Sequence, residues 1–183
     1  MKRPRGQLER ELARWARAPR PDRIEEPGRG QESVWNYPRP PRVEPAGEVV
    51  RVEFAGRVLA ESRSALRVLE TAGPPTYYLP RADVDAACLE SASGESQCEW
   101  KGGAVYWDAV VGARRSPRAA WSYPDPYEEY AQLRDALAFF AGRLDACFVG
   151  GERVTPQPGG FYGGWISSRV VGPFKGDPGS EGW

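Results

Sequence analysis

Val50-Arg51-Val52-Glu53-Phe54-Ala55-Gly56-Arg57-Val58-Leu59-Ala60 is the stretch that decides the fold class. Val50, Val52 and Phe54 fall two apart, which puts them on one face of an extended chain. Ala55-Gly56 marks a tight turn, and Val58 with Ala60 continues as the returning strand. The pattern spreads outward from this hairpin. Leu66 to Glu70 and Thr76 to Leu79 read as two more short strands around Gly73-Pro74-Pro75. Gln97 to Val111 holds two strands broken at Gly102-Gly103, and Ala119 to Tyr123 gives another. Asp145 to Val149 and Arg153 to Thr155 make a final hairpin around Gly150-Gly151. Two helices interrupt the strands. A short one near 81–89 starts after Pro80 and carries Val84, Ala87 and Cys88. A longer one near 126–139 follows Asp125-Pro126, with Tyr130, Leu133 and Leu137 as its apolar stripe and Glu128 and Glu129 in its dipole-favoured first turn. The expectation is a mainly β (α+β) fold, a compact antiparallel β domain of short strands with these two helices.

At 183 residues the chain suffices for one core, since a domain of roughly 150 residues buries about 70% of its unfolded surface. Three parts are expected. Residues 1–31 form a basic, Pro- and Gly-rich extension, 32–166 a single β-rich domain with its centre at 49–154, and 167–183 a Gly- and Pro-rich tail. Within the extension, Leu8, Leu12 and Trp15 fall at helical spacing before Pro19 and Pro21, either as a piece that docks or as a frayed end. Pro38, Pro40 and Pro41 favour an extended, polyproline-like surface segment after Trp35.

The charge balance is even, with 25 basic and 25 acidic residues, so no global field draws in nucleic acid or an anionic membrane. Nucleic acid is therefore disfavoured as a partner. Only Lys2, Lys101 and Lys175 are lysine among the basic residues. The three cysteines, Cys88, Cys98 and Cys147, are odd in number and have no CxxC spacing, and no apolar run is long enough to span a bilayer. A reduced, cytoplasmic chain that avoids membranes is expected. There is no histidine. That removes the usual general base, the triads built on it and the common zinc sites, while three scattered cysteines do not supply a four-thiolate one. Neither a GxxxxGK[ST] loop nor a strand-flanked GxGxxG occurs. The expectation is of no metal site and no cofactor, with any proton chemistry resting on carboxylate, lysine, tyrosine or cysteine.

The densest chemistry lies in Cys98-Glu99-Trp100-Lys101-Gly102, then Tyr106-Trp107, then Ala119-Ala120-Trp121-Ser122-Tyr123-Pro124. With Glu70 and Tyr77-Tyr78-Leu79-Pro80, these motifs resemble the domain-of-unknown-function family four-two-seven, also described as nucleotidyltransferase-like, in a longer subgroup with extra flanks. The resemblance covers roughly Val49 to Val154. It implies a small, mostly antiparallel β domain and almost nothing about activity. Two-metal nucleotidyl transfer needs paired carboxylates aimed at one point. The only candidate, Asp83-Val84-Asp85, follows Pro80 at a helix start, where carboxylates cap and complement the dipole.

Each aromatic has a bland reading as core, preferred for Tyr106 and Trp107. Trp100 and Trp121 end strands and divide evenly between core and pocket wall. Lys101 is either a solvated strand end with its stem on Trp100, or a cation or proton donor of lowered pKa paired with Glu70 or with a bound anion. Glu70 is either an exposed strand-end charge or a carboxylate beside Tyr78. Cys98 is a small buried residue or a thiol made reactive by Lys101. The favoured reading is a small-molecule-binding domain, metal-independent if an enzyme. Lys101, Glu70, Tyr78 and Cys98 would carry any catalysis, and Trp100, Trp121, Tyr123 and Tyr77 would contact the ligand. The alternative is a non-catalytic interaction or homo-oligomerisation module using the flanks Trp35 to Pro41 and Pro158 to Trp165.

Overall fold

The computed structural model describes residues 1–180 and 182–183. Helix α1 (Gln7–Trp15) precedes a two-residue strand, β1 (Glu32–Ser33), and β2 (Arg42–Pro45). β3 (Val50–Phe54) and β4 (Arg57–Ser62) form the hairpin that the alternation predicts. Both turn residues take positive φ, +53° at Ala55 and +73° at Gly56, as tight hairpin turns require. Glycine does so freely and alanine does not; the Ala55 N–H is held by donating to Asp145 Oδ2 at 2.7 Å. Next come β5 (Leu66–Leu69), β6 (Thr76–Leu79), β7 (Leu89–Cys98), β8 (Gly102–Val111), β9 (Arg114–Ser122) and β10 (Leu137–Phe139). The chain ends through β11 (Ala146–Val149), β12 (Glu152–Arg153), β13 (Thr155–Pro156), β14 (Trp165–Ile166) and β15 (Val170–Val171).

The class is mainly β, built on two antiparallel sheets. One has seven strands in the order β2-β5-β6-β10-β9-β8-β7, the other four in the order β12-β11-β3-β4. Val50, Val52, Phe54 and Leu59 of the smaller sheet share a buried core with Leu79, Leu137 and Phe139 of the larger. Tyr77 belongs to this core, its ring 5.2 Å from that of Trp165. The opposite face of the seven-stranded sheet carries a second cluster, including Val68, Tyr78, Trp100, Ala104, Trp121, Tyr123, Ala138 and Phe140. Side chains alternate along each strand, so Tyr77 and Tyr78 serve different layers.

Several local expectations are corrected. Ala60 is inward as expected, but Val58 points outward, 41% exposed, and Leu59 takes its place in the core, because a bulge shifts the register between Val52 and Glu53. No long helix spans 126–139. A 3-10 segment, Glu128–Leu133, is broken at Tyr130 (φ −118°, ψ 21°), and Leu137–Phe139 is a central strand between β6 and β9. A strand covered on both faces is a continuous apolar run, which periodicity alone does not separate from a helix. The 81–89 segment is likewise two 3-10 turns, Arg81–Asp83 and Ala86–Cys88, before β7 begins. The only α-helix among the described residues is α1.

The segment expected to lie extended on the surface turns inward instead. Val34–Asn36 is a 3-10 turn whose Val34 and Trp35 are buried, as is Tyr37, and the Trp35 ring meets that of Trp183 at 5.3 Å. The aromatic surface gained by burial outweighs the preference of the neighbouring prolines for extended exposure. β1 pairs in parallel with β15, so the two flanks close on each other.

An ion network ties these flanks to the large sheet. Arg67 on β5 donates to both carboxylate oxygens of Glu32 (2.9 and 3.0 Å) and to Glu44, while the Tyr37 hydroxyl donates to Glu32 at 2.6 Å. Burial disfavours the Glu32 charge, but the hydrogen bonds from Arg67 and Tyr37, together with the Arg67 and Arg42 charges, hold its pKa below the ordinary glutamate value. A carboxylate with a depressed folded pKa adds stability above its unfolded pKa, about 4.3, and loses it as pH falls through the folded value. Glu32→Gln is therefore expected to lower Tm at pH 7 and to shrink the fall in Tm on acidification. Thermal unfolding across pH checks this, and an acid limb unchanged from wild type would contradict it.

Candidate functional site

Cys98 pairs with Gly102 across a three-residue turn, Glu99-Trp100-Lys101, that joins β7 to β8. Gly102 re-enters the strand at φ +104°, which favours glycine. All three carbonyls of the turn are occupied. The Arg3 guanidinium donates to Glu99 O (2.5 Å) and Trp100 O (2.8 Å), and the Tyr127 N–H donates to Lys101 O (3.0 Å). The Arg3 side chain is itself buried and stacks 4.3 Å above the Tyr127 ring. This turn sends Trp100 and Lys101 to different places. Trp100 is fully buried and its Nε1 donates to Glu70 Oε1 at 3.2 Å. Lys101, 8% exposed, lines a cavity of about 400 Å³.

The wall of that cavity follows from strand register. Tyr78 on β6 faces Ala138 on β10, Ala138 faces Trp121 on β9, and Trp121 faces Tyr106 on β8. The small Ala138 side chain leaves the two large rings to meet above it, with Trp121 Nε1 donating to the Tyr78 hydroxyl at 3.2 Å. From Lys101 Nζ the wall runs 6.0 Å to the Tyr123 centroid, 6.3 Å on to Tyr78, 6.1 Å to Trp121 and 4.4 Å to Phe140. Glu70 joins by period two, following Leu66 and Val68 on the same side of β5. Of the residues singled out in the sequence, Glu70, Tyr78, Cys98, Lys101, Trp121 and Tyr123 line this one space. Trp100 lies behind Glu70, and Tyr77 lies in the other core.

The other side of the cavity comes from residues that the sequence does not assign to this site, several of them in the flanks read there as an interaction surface. Trp15 of α1 is covered by the Arg39 guanidinium at 3.9 Å and by Lys175 Nζ at 4.7 Å, both lining the cavity. Trp15 lies on the apolar stripe of α1 with Leu8 and Leu12, and Lys175 is one of only three lysines; nothing marked Arg39. Phe161, Tyr162 and Gly163 complete the enclosure.

Electrostatics distinguish Lys101 from its neighbours. Glu70 is taken by Arg39, whose Nε lies 3.4 Å from Oε1, and by Trp100. Glu70 and Lys101 share the cavity without the salt bridge expected between them. Among the described residues Lys101 Nζ has neither an ion pair within 4.0 Å nor a hydrogen bond, and it opens on the cavity instead of being sealed in protein. Burial alone pushes the ammonium pKa down, while the groups around it, the Glu70 carboxylate among them, push it up, and the net direction is above the ordinary lysine value. Burial raises the Tyr78 and Tyr123 phenols. Lys175, by contrast, is held below the ordinary lysine value by burial and by the adjacent Arg39 charge. These directions describe Lys101 as a cation and the phenols as neutral donors.

Asp83 and Asp85 stand elsewhere. Asp83 accepts from the Ser62 hydroxyl at 2.6 Å, and Asp85 caps a 3-10 turn through Ala87 N–H (3.1 Å) while pairing with Arg57 at 2.8 Å. Neither lines the cavity, and of the two only Asp85 takes the expected capping role.

Residues 42–150, more than half of the chain, match the model of a domain of unknown function, DUF427. The chain belongs to the DUF427 family. A comparison with curated proteins finds no match. The family segment supplies Glu70, Tyr78, Cys98, Lys101, Trp121 and Tyr123. The flanks on either side of it supply Trp15, Arg39, Phe161, Tyr162 and Lys175.

Gly163 is where a flank closes on the family segment. A Cβ there would stand 2.0 Å from Trp121 Cη2 and 2.6 Å from Cζ3. Gly163→Ala is expected to destabilise the fold by about 1–3 kcal/mol, the usual range for overpacking, and to shift tryptophan emission by displacing the loop or the Trp121 ring. Gly151→Ala makes a useful comparison because its strain is conformational (φ +82°) with no atom within 4 Å, so only the Gly163 variant should alter emission. Identical spectra for the two variants would contradict the contact.

Proposed function

We propose that this chain is a cytoplasmic small-molecule-binding domain. The observation that carries the reading is the convergence of Glu70, Tyr78, Cys98, Lys101, Trp121 and Tyr123, drawn from β5, β6, the β7–β8 hairpin and the end of β9, on one cavity of about 400 Å³. Ligand sites typically measure about 300–1,000 Å³ and combine aromatic walls with a few placed polar groups. Trp121, Tyr123, Tyr78 and Phe140 form the apolar side, and Lys101 and Glu70 supply the charges. Any reaction carried out here would use Lys101 to stabilise negative charge, Glu70 and Cys98 to exchange protons, and Tyr78 as a hydrogen-bond donor.

The alternative, a module that binds protein or a second copy through its flanks, draws on Phe161, which is 72% exposed beside the cavity. Of the other aromatics it would offer, Trp35, Tyr37 and Trp165 are buried within this chain and Tyr162 is half-buried against the cavity. That favours the binding domain.

Screening small ring compounds by thermal shift and tryptophan emission is expected to yield ligands that raise Tm and change emission. Ala104 lines the cavity and is buried. Ala104→Leu should fill that space and weaken every such ligand at least about tenfold, equivalent to about 1.4 kcal/mol, with strand content by circular dichroism unchanged. Ligands that bind the Ala104→Leu variant as tightly as wild type would place binding outside the cavity.

A further inference from the structure

Resting on the small-molecule reading above, we propose that the occupant is an amphipathic anion, a carboxylate or phosphate ester on a flat apolar ring. Its anionic group would sit on Lys101 Nζ and its ring along Tyr78 and Trp121.

Three observations carry this. Lys101 keeps only 8% of its surface exposed, it lines the cavity, and it has no hydrogen-bond or ion-pair partner among the described residues. A cation set in a largely buried wall and open only to the cavity is best matched by an anion that enters with the ligand. Second, the cavity is cationic in a chain that is neutral overall. Arg14, Arg39, Lys101 and Lys175 line it against Glu70 and Glu99, and it gathers two of the three lysines in the sequence. Glu70 is already engaged by Arg39 and Trp100, which leaves it little capacity to neutralise Lys101. Third, Trp15, which lines the cavity, carries a buried Nε1 donor without an acceptor, so a ligand bringing oxygens suits the site better than one bringing N–H groups.

The shape of the ligand follows from the order of groups. The cation stands at one end of the series Tyr123, Tyr78, Trp121 and Phe140, whose centroids succeed one another at 4.4 to 6.3 Å. A charged head at Lys101 and a ring lying along this wall satisfy both ends. The role assigned to Lys101 is ion pairing, with no covalent bond to the ligand.

The full chain can be titrated with benzoate, phenyl phosphate and the neutral isostere benzamide, with Tm and tryptophan emission as readouts. At least one anion is expected to bind at least tenfold more tightly than benzamide, and whichever of benzoate and phenyl phosphate is preferred identifies the head group. Lys101→Met should abolish that preference. Removal of an unpaired buried charge is expected to leave the free protein as stable as wild type or more so, and Lys101→Gln provides a second neutral variant if Lys101→Met does not fold. Benzamide binding as tightly as both anions, or a preference that survives in the Lys101 variants, would overturn the anionic assignment and leave the cavity reading in place. If none of the three probes binds and no ring compound does, the assignment and the cavity reading fail together.

Discussion

The seven-stranded sheet has to bury both of its faces, and the rest of the molecule is arranged around that constraint. One face is closed by the four-stranded sheet, which lays Val50, Val52, Phe54 and Leu59 against Leu79, Leu137 and Phe139. For the other face the chain supplies no second sheet. It is covered by the helix α1, by loops, and by aromatic side chains standing on the strands themselves. Irregular covers pack less completely than strands that interdigitate. The space left between them is the cavity, walled by the sheet on one side and by Trp15, Arg39, Tyr162 and Lys175 on the other.

The placement of Lys101 depends on a rigid support. With Glu99, Trp100 and Lys101 carbonyls all satisfied by Arg3 and Tyr127, and with Trp100 buried behind it, the turn has little freedom to swing the lysine out to solvent. Glu70 is fixed in the same way, by Trp100 from behind and Arg39 from above. Trp100 therefore reaches the cavity only through the carboxylate it orients. The arrangement keeps the acid and the base close without letting them neutralise each other, which leaves Lys101 open to a third charged group.

Much of the wall was legible in the sequence because it obeys period two. Leu66, Val68 and Glu70 alternate onto one side, the hairpin at Ala55-Gly56 is local, and the pattern around Trp121 and Tyr123 marks a strand that ends at the site. Tyr77 was misplaced for the same reason that Tyr78 was found, since neighbouring strand residues face opposite ways and nothing local says which face holds the cavity. The helix expected over 126–139 was lost to a central strand, whose apolar residues on both faces mimic a helical stripe. Arg39, Trp15 and Lys175 were illegible as site residues because long-range packing, and no spacing in the chain, brings the flanks over the family segment.

At the centre of this description, Lys101 is a buried cation waiting for an anion. A crystal soaked in bromide reads this most directly, because anomalous scattering locates the anion without assuming any ligand. A bromide is expected inside the cavity within hydrogen-bonding distance of Lys101 Nζ, and absent from crystals of the Lys101→Met variant. Bromide confined to exposed arginines, with the Lys101 ammonium paired to a protein carboxylate, would contradict it.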